Sequence, residues 1–274
     1  VSDTKNSRIQ VLQSNGDPIG SASDTLRLPG NICVRTIGSD IVVMVTDQTG
    51  ASFEKLYRYF FDGSTFSLQN TFGEAGSAVN KLTEAFGVAF NSSYIFVSEI
   101  NGSAGEQVLR YQYSDRAYQT TFGTADNGDS TYDNSEFLSP KDIEIDSAGN
   151  VYVLDSDHSR ILIFDADGTY VSQFGTYGTS TNAPGDSTIY FKYPEDMTIY
   201  EYGGNTFFYI ADSQNNRIVK VQAVGVGFQF VTSFGTYGSG TDQLNNPTGV
   251  VLSPDGVKIY VVDQGNNRIL VFQN

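Results

Sequence analysis

Acidic side chains dominate the groups able to do chemistry in this chain. Of its 274 residues, 31 are Asp or Glu, against 16 Lys or Arg, one His and one Cys. Four Asp–Arg pairs recur at one spacing: Asp3/Arg8, Asp155/Arg160, Asp212/Arg217 and Asp263/Arg268. An acid found in every good copy of a motif reads as a turn cap, and its Arg as a bridge to a neighbouring segment, rather than as a catalytic couple. His158 stands where other copies have Asn215 or Asn266. A tolerated loop residue is its plain role and a general base the sharper one. With a single His and a single Cys, a zinc centre of the usual nitrogen and sulfur ligands is excluded. One further position, two residues after a recurring Pro slot, reads Asn31, Gly87, Asp142, Asp196 and Gly249. Converging carboxylates with an amide oxygen suit a hard cation such as Ca2+. Asn31, Asp142 and Asp196 are therefore candidate metal ligands, with Glu144 and Glu195 close by in sequence.

The elements that must position these groups are repeated. A Phe-Gly pair closes a segment at Phe72-Gly73, Phe122-Gly123, Phe174-Gly175 and Phe234-Gly235. The Pro slot recurs at Pro29, Pro140, Pro194 and Pro247, with Ala85 filling the same place. Self-similarity near fifty residues indicates one supersecondary unit copied many times. In the clearest copy, Asp142 to Asp146 alternates polar and apolar, the period of a strand. Val151 to Leu154 is rich in β-branched and aromatic residues, Ile161 to Phe164 forms a third strand, and Tyr170 to Phe174 a fourth. Ser147 to Asn150 and Asp165 to Gly168 are turn clusters between them. Four antiparallel strands per copy make a propeller blade, so the fold class is all-β.

The last copy carries Asn246-Pro247-Thr248-Gly249-Val250, Asp255-Gly256, Ile259 to Asp263 and Asn266-Asn267-Arg268-Ile269. In these residues the chain resembles the NHL-repeat β-propellers. The resemblance spans the chain but weakens over 31–123, where Asp47-Gln48-Thr49 and Glu99-Ile100-Asn101 replace the Asp-to-Arg loop. It implies a fold and not a function, because propellers host unrelated activities. Gluconolactonase-like propellers are similar in holding a divalent metal with a few acidic and amide side chains, which implies a channel site for Asn31, Asp142 and Asp196.

Inner strands are found near Ile32, Val88, Ile143, Met197 and Val250. Two counts stay open: a five-blade ring, or six blades in a shortened chain. The simpler closure makes 1–274 one domain, with the N-terminal strand 8–13 joining the C-terminal blade 244–274 as its outer strand. By motif, Arg8-Ile9 instead resembles a third strand. Pairing of unmatched ends between molecules, and so self-association, is a further expectation.

The net charge of −15 repels phosphate backbones, and no Lys/Arg cluster is present, so nucleic acid is not the expected partner. No run of 18 apolar residues exists to insert in a membrane. Val1–Gln10 is polar and does not read as a signal peptide. An Asn-, Ser- and Gly-rich, Lys-poor composition and two glycosylation sequons, at Asn91 and Asn101, favour an extracellular or cell-surface location. Three loops break the repeat most: 124–137, 176–191 and 236–244. They carry Tyr132, Tyr177 and Tyr237, the last two in Thr-Tyr-Gly triplets. Tyr beside Gly and Ser offers contact area and a hydroxyl at small entropic cost, so these three form the candidate binding rim. The leading expectation is a non-enzymatic binding or assembly module for protein, peptide or glycan, with no required cofactor. The alternative is a divalent-metal-dependent hydrolase or lyase.

Overall fold

The computed structural model describes residues 1–13, 15–23, 26–48, 55–75, 81–100, 105–127 and 133–274. Tyr132 and Asn101 lie outside them. Among the described residues the only helical turns are Thr4–Asn6, Ser213–Asn215 and Gln264–Asn266. The other described elements are strands, in six sheets of blade topology and three two-stranded pairs. Four blades have four strands each, in chain order from first to last. They run Pro29–Ile37 to Phe66–Phe72, Ala85–Phe90 to Tyr118–Phe122, Pro140–Ile145 to Tyr170–Phe174, and Asp196–Tyr202 to Gly227–Phe234. Two blades have three strands: Ser2–Asp3, Arg8–Leu12 and Pro18–Ala22 in one, Pro247–Leu252, Lys258–Asp263 and Arg268–Gln273 in the other. Of the two counts left open by the sequence, strand pairing gives six.

The blade beyond the expected five is the first, built from the N-terminal residues. Arg8–Leu12 pairs with Ser2–Asp3 on one side and Pro18–Ala22 on the other. With both edges occupied it is the middle strand of its own sheet, as the third-strand motif at Arg8-Ile9 implied. The expected closure, strand 8–13 added to the outside of blade 244–274, is replaced by this arrangement.

The chain divides into two compact units, Val1–Ile143 and Glu144–Asn274. In the first, Val42, Met44, Leu56, Val88, Phe90, Val97 and Leu109 share a core between the second and third blades. In the second, Leu154, Ile161, Phe174, Phe191, Phe208 and Val219 join the fourth and fifth blades, and Tyr209, Leu244, Ile259 and Val261 join the fifth and sixth. Middle strands are buried on both faces, so Val151–Asp155 and Arg160–Phe164 are near-continuous apolar runs. Outer strands face water on one side and alternate, as Tyr170–Phe174 does.

The Phe-Gly pairs explain themselves through packing. Gly73, Gly123, Gly175 and Gly235 all take positive φ, between 74° and 96°. Each lies against one fully buried residue three before the next Pro slot: Leu82, Phe137, Phe191 and Leu244. A side chain at the glycine would occupy that residue's space.

In four blades a buried acid at the end of the second strand fixes the loop that leads into its own blade. Asp47 accepts from the Arg27 and Leu28 N–H groups at 2.9 and 2.8 Å. Glu99 accepts from Thr83 N–H at 2.6 Å, Asp212 from Lys192 N–H at 2.7 Å, and Asp263 from Asn245 N–H at 2.7 Å. The facing residue on the third strand is Arg8, Lys55, Gln107, Arg160, Arg217 or Arg268 in turn. Arg217 donates from Nε to Asp212 at 2.7 Å and from Nη2 to Tyr190 O at 2.8 Å. Arg268 likewise holds Asp263 and the carbonyls of Ser239, Gly240 and Gln243. The Asp–Arg pairs are thus structural clamps, as their repetition implied. His158 serves the same purpose: its Nδ1 meets Asp155 at 2.8 Å, where Asn215 and Asn266 give an amide N–H to Asp212 and Asp263.

Burial weighs differently on these acids. It raises the Asp212 carboxyl above the ordinary range despite its donors. At the less enclosed Asp263, burial also pushes upward, but the Asn245 N–H, Asn266 and Arg268 outweigh it and hold the carboxyl low. Glu99, fully buried, faces Gln107 rather than a cation, and burial raises its carboxyl against the donors Gln107 and Thr83.

Two stability predictions follow from these clamps. A carboxyl raised on folding holds its proton longer in the native state, so it detracts from stability as pH rises through that window and ceases to do so in acid. Glu99→Gln is expected to stabilise by roughly 1 kcal/mol at pH 7, with the two proteins converging near pH 4 in thermal melts. Arg217→Ala strands Asp212 in the interior and is expected to cost about 3–5 kcal/mol. Arg8→Ala, at a pair open to solvent on both sides, should cost less than about 1 kcal/mol. Denaturant titrations of the two variants check the contrast.

Candidate functional site

Two of the three candidate metal ligands come together. Asn31, on the inner strand of the second blade, donates its amide N–H to Asp142 Oδ1 at 2.9 Å. The two are 111 residues apart, and Asp142 is buried. Gly87, on the inner strand of the third blade, makes room: a Cβ there would stand 2.9 Å from both Asp142 Cα and Ser98 Oγ. The third candidate makes a bond of the same kind in the second unit. Asp196 Oδ2 accepts from Val250 N–H at 2.6 Å, beside Gly249. A polar side chain at this slot thus reaches toward another inner strand, where Gly leaves space for it.

This chemistry ties strands together. A Ca2+ shell needs six to eight oxygens, whereas Asn31 and Asp142 turn an amide N–H and a carboxylate toward each other. No group of three His, Cys, Asp or Glu side chains placed to hold a metal occurs among the described residues.

The candidate rim is built differently. Tyr177 sits in a short parallel pair, Thr176–Tyr177 with Tyr190–Phe191, and Tyr237 forms a parallel bridge to Leu244. The first blade-to-blade loop to carry such a pair is Glu74–Ala75 with Lys81–Leu82, and Thr124–Ala125 with Glu136–Phe137 is another. Each clip begins right after a Phe-Gly pair, so the clip is part of the repeat that local pattern did not show. The Tyr loops are pinned from beneath. Asn215 and Arg217 bond to the Gly178, Ser180 and Tyr190 carbonyls, and Asn266 bonds to Gly238 O. Gly185 and Asp186 also pair with Phe230 on the outer strand of the fifth blade, shielding an edge that would otherwise invite strand pairing. The rings remain outside: Tyr177 is 56% and Tyr237 72% exposed.

Sequence reasoning missed Tyr193. It precedes Pro194 and adopts φ 47°. The corresponding residues before Pro140 and Pro247 are Ser139 at φ 66° and Asn246 at φ 51°. Left-handed backbone costs an ordinary side chain roughly 1–2 kcal/mol. The Tyr193 ring meets Tyr177 edge to face, with centroids 5.9 Å apart and planes at 75°. An aromatic residue in a slot held elsewhere by Leu28, Glu84, Ser139 and Asn246 was the available signal.

Asn91 lies in the hairpin between Phe90 and Tyr94. Its Oδ1 accepts from the Ser93 and Tyr94 N–H groups at 2.8 and 2.9 Å, an Asx turn that leaves the amide nitrogen outward.

The sequence model of the NHL repeat matches residues 137–164 and 244–272. The protein brain tumor of Drosophila melanogaster is 26% identical over 137 residues, which make up 50% of this chain and 12% of that protein. A structural genomics protein of unknown function from Bacteroides thetaiotaomicron superposes with a TM-score of 0.70 at 15% identity, over 99% of this chain and 65% of the other. The periplasmic gluconolactonase of Pseudomonas aeruginosa gives 0.56 at 13% identity, over 94% and 69%. At such identities the solved structures attest the fold alone. The chain is thus a β-propeller that carries NHL repeats at 137–164 and 244–272.

Proposed function

We propose that this propeller is a non-enzymatic recognition module whose inter-blade loops bind a protein, peptide or glycan outside the cell or at its surface. The carrying observation is the pair of exposed rings, Tyr177 and Tyr237, on loops whose carbonyls are held by Asn215, Arg217, Asn266 and Arg268. An exposed aromatic on a pre-ordered loop binds without the entropic penalty of ordering the loop. The extracellular placement is supported by composition and by the outward amide of Asn91. No helix among the described residues is long and apolar enough to cross a membrane.

A second reading, a divalent-metal-dependent hydrolase or lyase, is favoured by the meeting of Asn31 and Asp142 and by the likeness in fold to a gluconolactonase. The two readings separate on variants. In protein, peptide and glycan arrays, Tyr177→Ala/Tyr237→Ala is expected to reduce binding at least tenfold, and Asp142→Asn to retain it. Ca2+-dependent turnover of a lactone by the wild type, abolished in Asp142→Asn and intact in the double Tyr variant, would reverse the choice.

A further inference from the structure

Much of the backbone around Tyr177 is already paired within the protein. Thr176 N–H and Gly178 N–H bond to Ile189 O and Phe191 O, and the Gly178, Ser180 and Tyr190 carbonyls accept from Asn215 and Arg217. Strand addition, the common way to bind an extended peptide, would meet a segment whose Thr176 and Gly178 N–H groups are already taken. What remains is the Tyr177–Tyr193 corner, two rings meeting at 75°, whose hydroxyls have no partner among the described residues. Around it stand hydroxyls and amides. Residues 176–185 carry no charge, and the ridge Gln214-Asn215-Asn216 carries none either. Lys192 and Glu195 flank Tyr193 with one charge of each sign.

Tyr193 keeps this corner in a backbone conformation that Ser139 and Asn246 fill with small polar side chains. Of the three copies with left-handed backbone at this slot only Tyr193 carries an aromatic, and a bulky residue kept in that conformation points to use. Resting on the binding-module reading, we propose that Tyr177 and Tyr193 form a subsite for the ring of a neutral sugar. The C–H face of the sugar packs on an exposed ring, and its hydroxyls meet the surrounding amides and side-chain hydroxyls, which both donate and accept. Tyr193 is the residue that selects it.

Saturation-transfer NMR with neutral oligosaccharides of glucose, mannose, galactose and N-acetylglucosamine tests this. At least one is expected to receive transfer at its ring C–H protons from the wild-type protein, with a fivefold or greater loss in Tyr193→Asn and in Tyr177→Ala. Tyr202→Ala, at an exposed ring on a hairpin tip of the fifth blade, should leave the signal intact. Tyr193→Asn installs the residue found at Asn246, so it should melt at or above the wild-type temperature, which separates lost binding from lost folding. No transfer to any sugar, or transfer undiminished in Tyr193→Asn, overturns the proposal. If sugars fail while an arrayed peptide binds through Tyr177 and Tyr237, the sugar subsite falls and the binding module stands. Silence in both experiments removes both.

Discussion

A carboxylate buried at the end of a second strand is the interaction on which most of the blades depend. Asp212 shows the whole device. It receives the Lys192 N–H from the loop leading into its blade, the Asn215 amide from the next turn, and the Arg217 guanidinium from the facing strand. One anion thereby fixes the start of the first strand and the turn between the second and third. Its Arg then carries the constraint outward to the Ser180 and Tyr190 carbonyls. A buried charge is tolerable only when such donors surround it, which explains why the acid, the Asn or His and the Arg recur as a set. The blade that departs from the set, with Glu99 and Gln107, keeps the N–H donor and the amide but has no cation at that place.

The same device links stability to recognition. Because Arg217 and Arg268 spend their remaining N–H groups on loop carbonyls, the loops bearing Tyr177 and Tyr237 are ordered from the core side and present side chains rather than backbone outward. A rim with much of its backbone already paired recognises through ring faces, hydroxyls and amides, and this narrows the chemistry of its ligands. The polar slot at Asn31, Asp142 and Asp196 works in the opposite sense. Its groups are turned toward other strands, with Gly87 and Gly249 giving clearance.

Much of this was legible in the sequence, because the repeat is written in residue types with strict local requirements. Period-two alternation and β-branched runs gave the strands, and Phe-Gly and the Pro slots gave the blade boundaries. The repetition of Asp155, Asp212 and Asp263 marked them as structural, which their hydrogen bonds bear out. The slot before Pro hid Tyr193 only because three other copies were not compared there. The N-terminal blade was harder: Ser2–Asp3 is two residues long and carries no alternation of its own.

What the sequence by itself determined is the blade: its strands, its turns and the acid that pins it, all encoded by neighbours within about fifty residues. Tertiary structure alone decided which side chains meet. Whether Arg8–Leu12 would be an outer or a middle strand depended on what occupied its second edge, and Pro18–Ala22 does. That Asn31 and Asp142 meet depended on a hydrogen bond across 111 residues and on the absence of a side chain at Gly87. Strand pairing and side-chain convergence are set by competition between distant partners for the same donors, acceptors and space, and no local pattern records which partner wins.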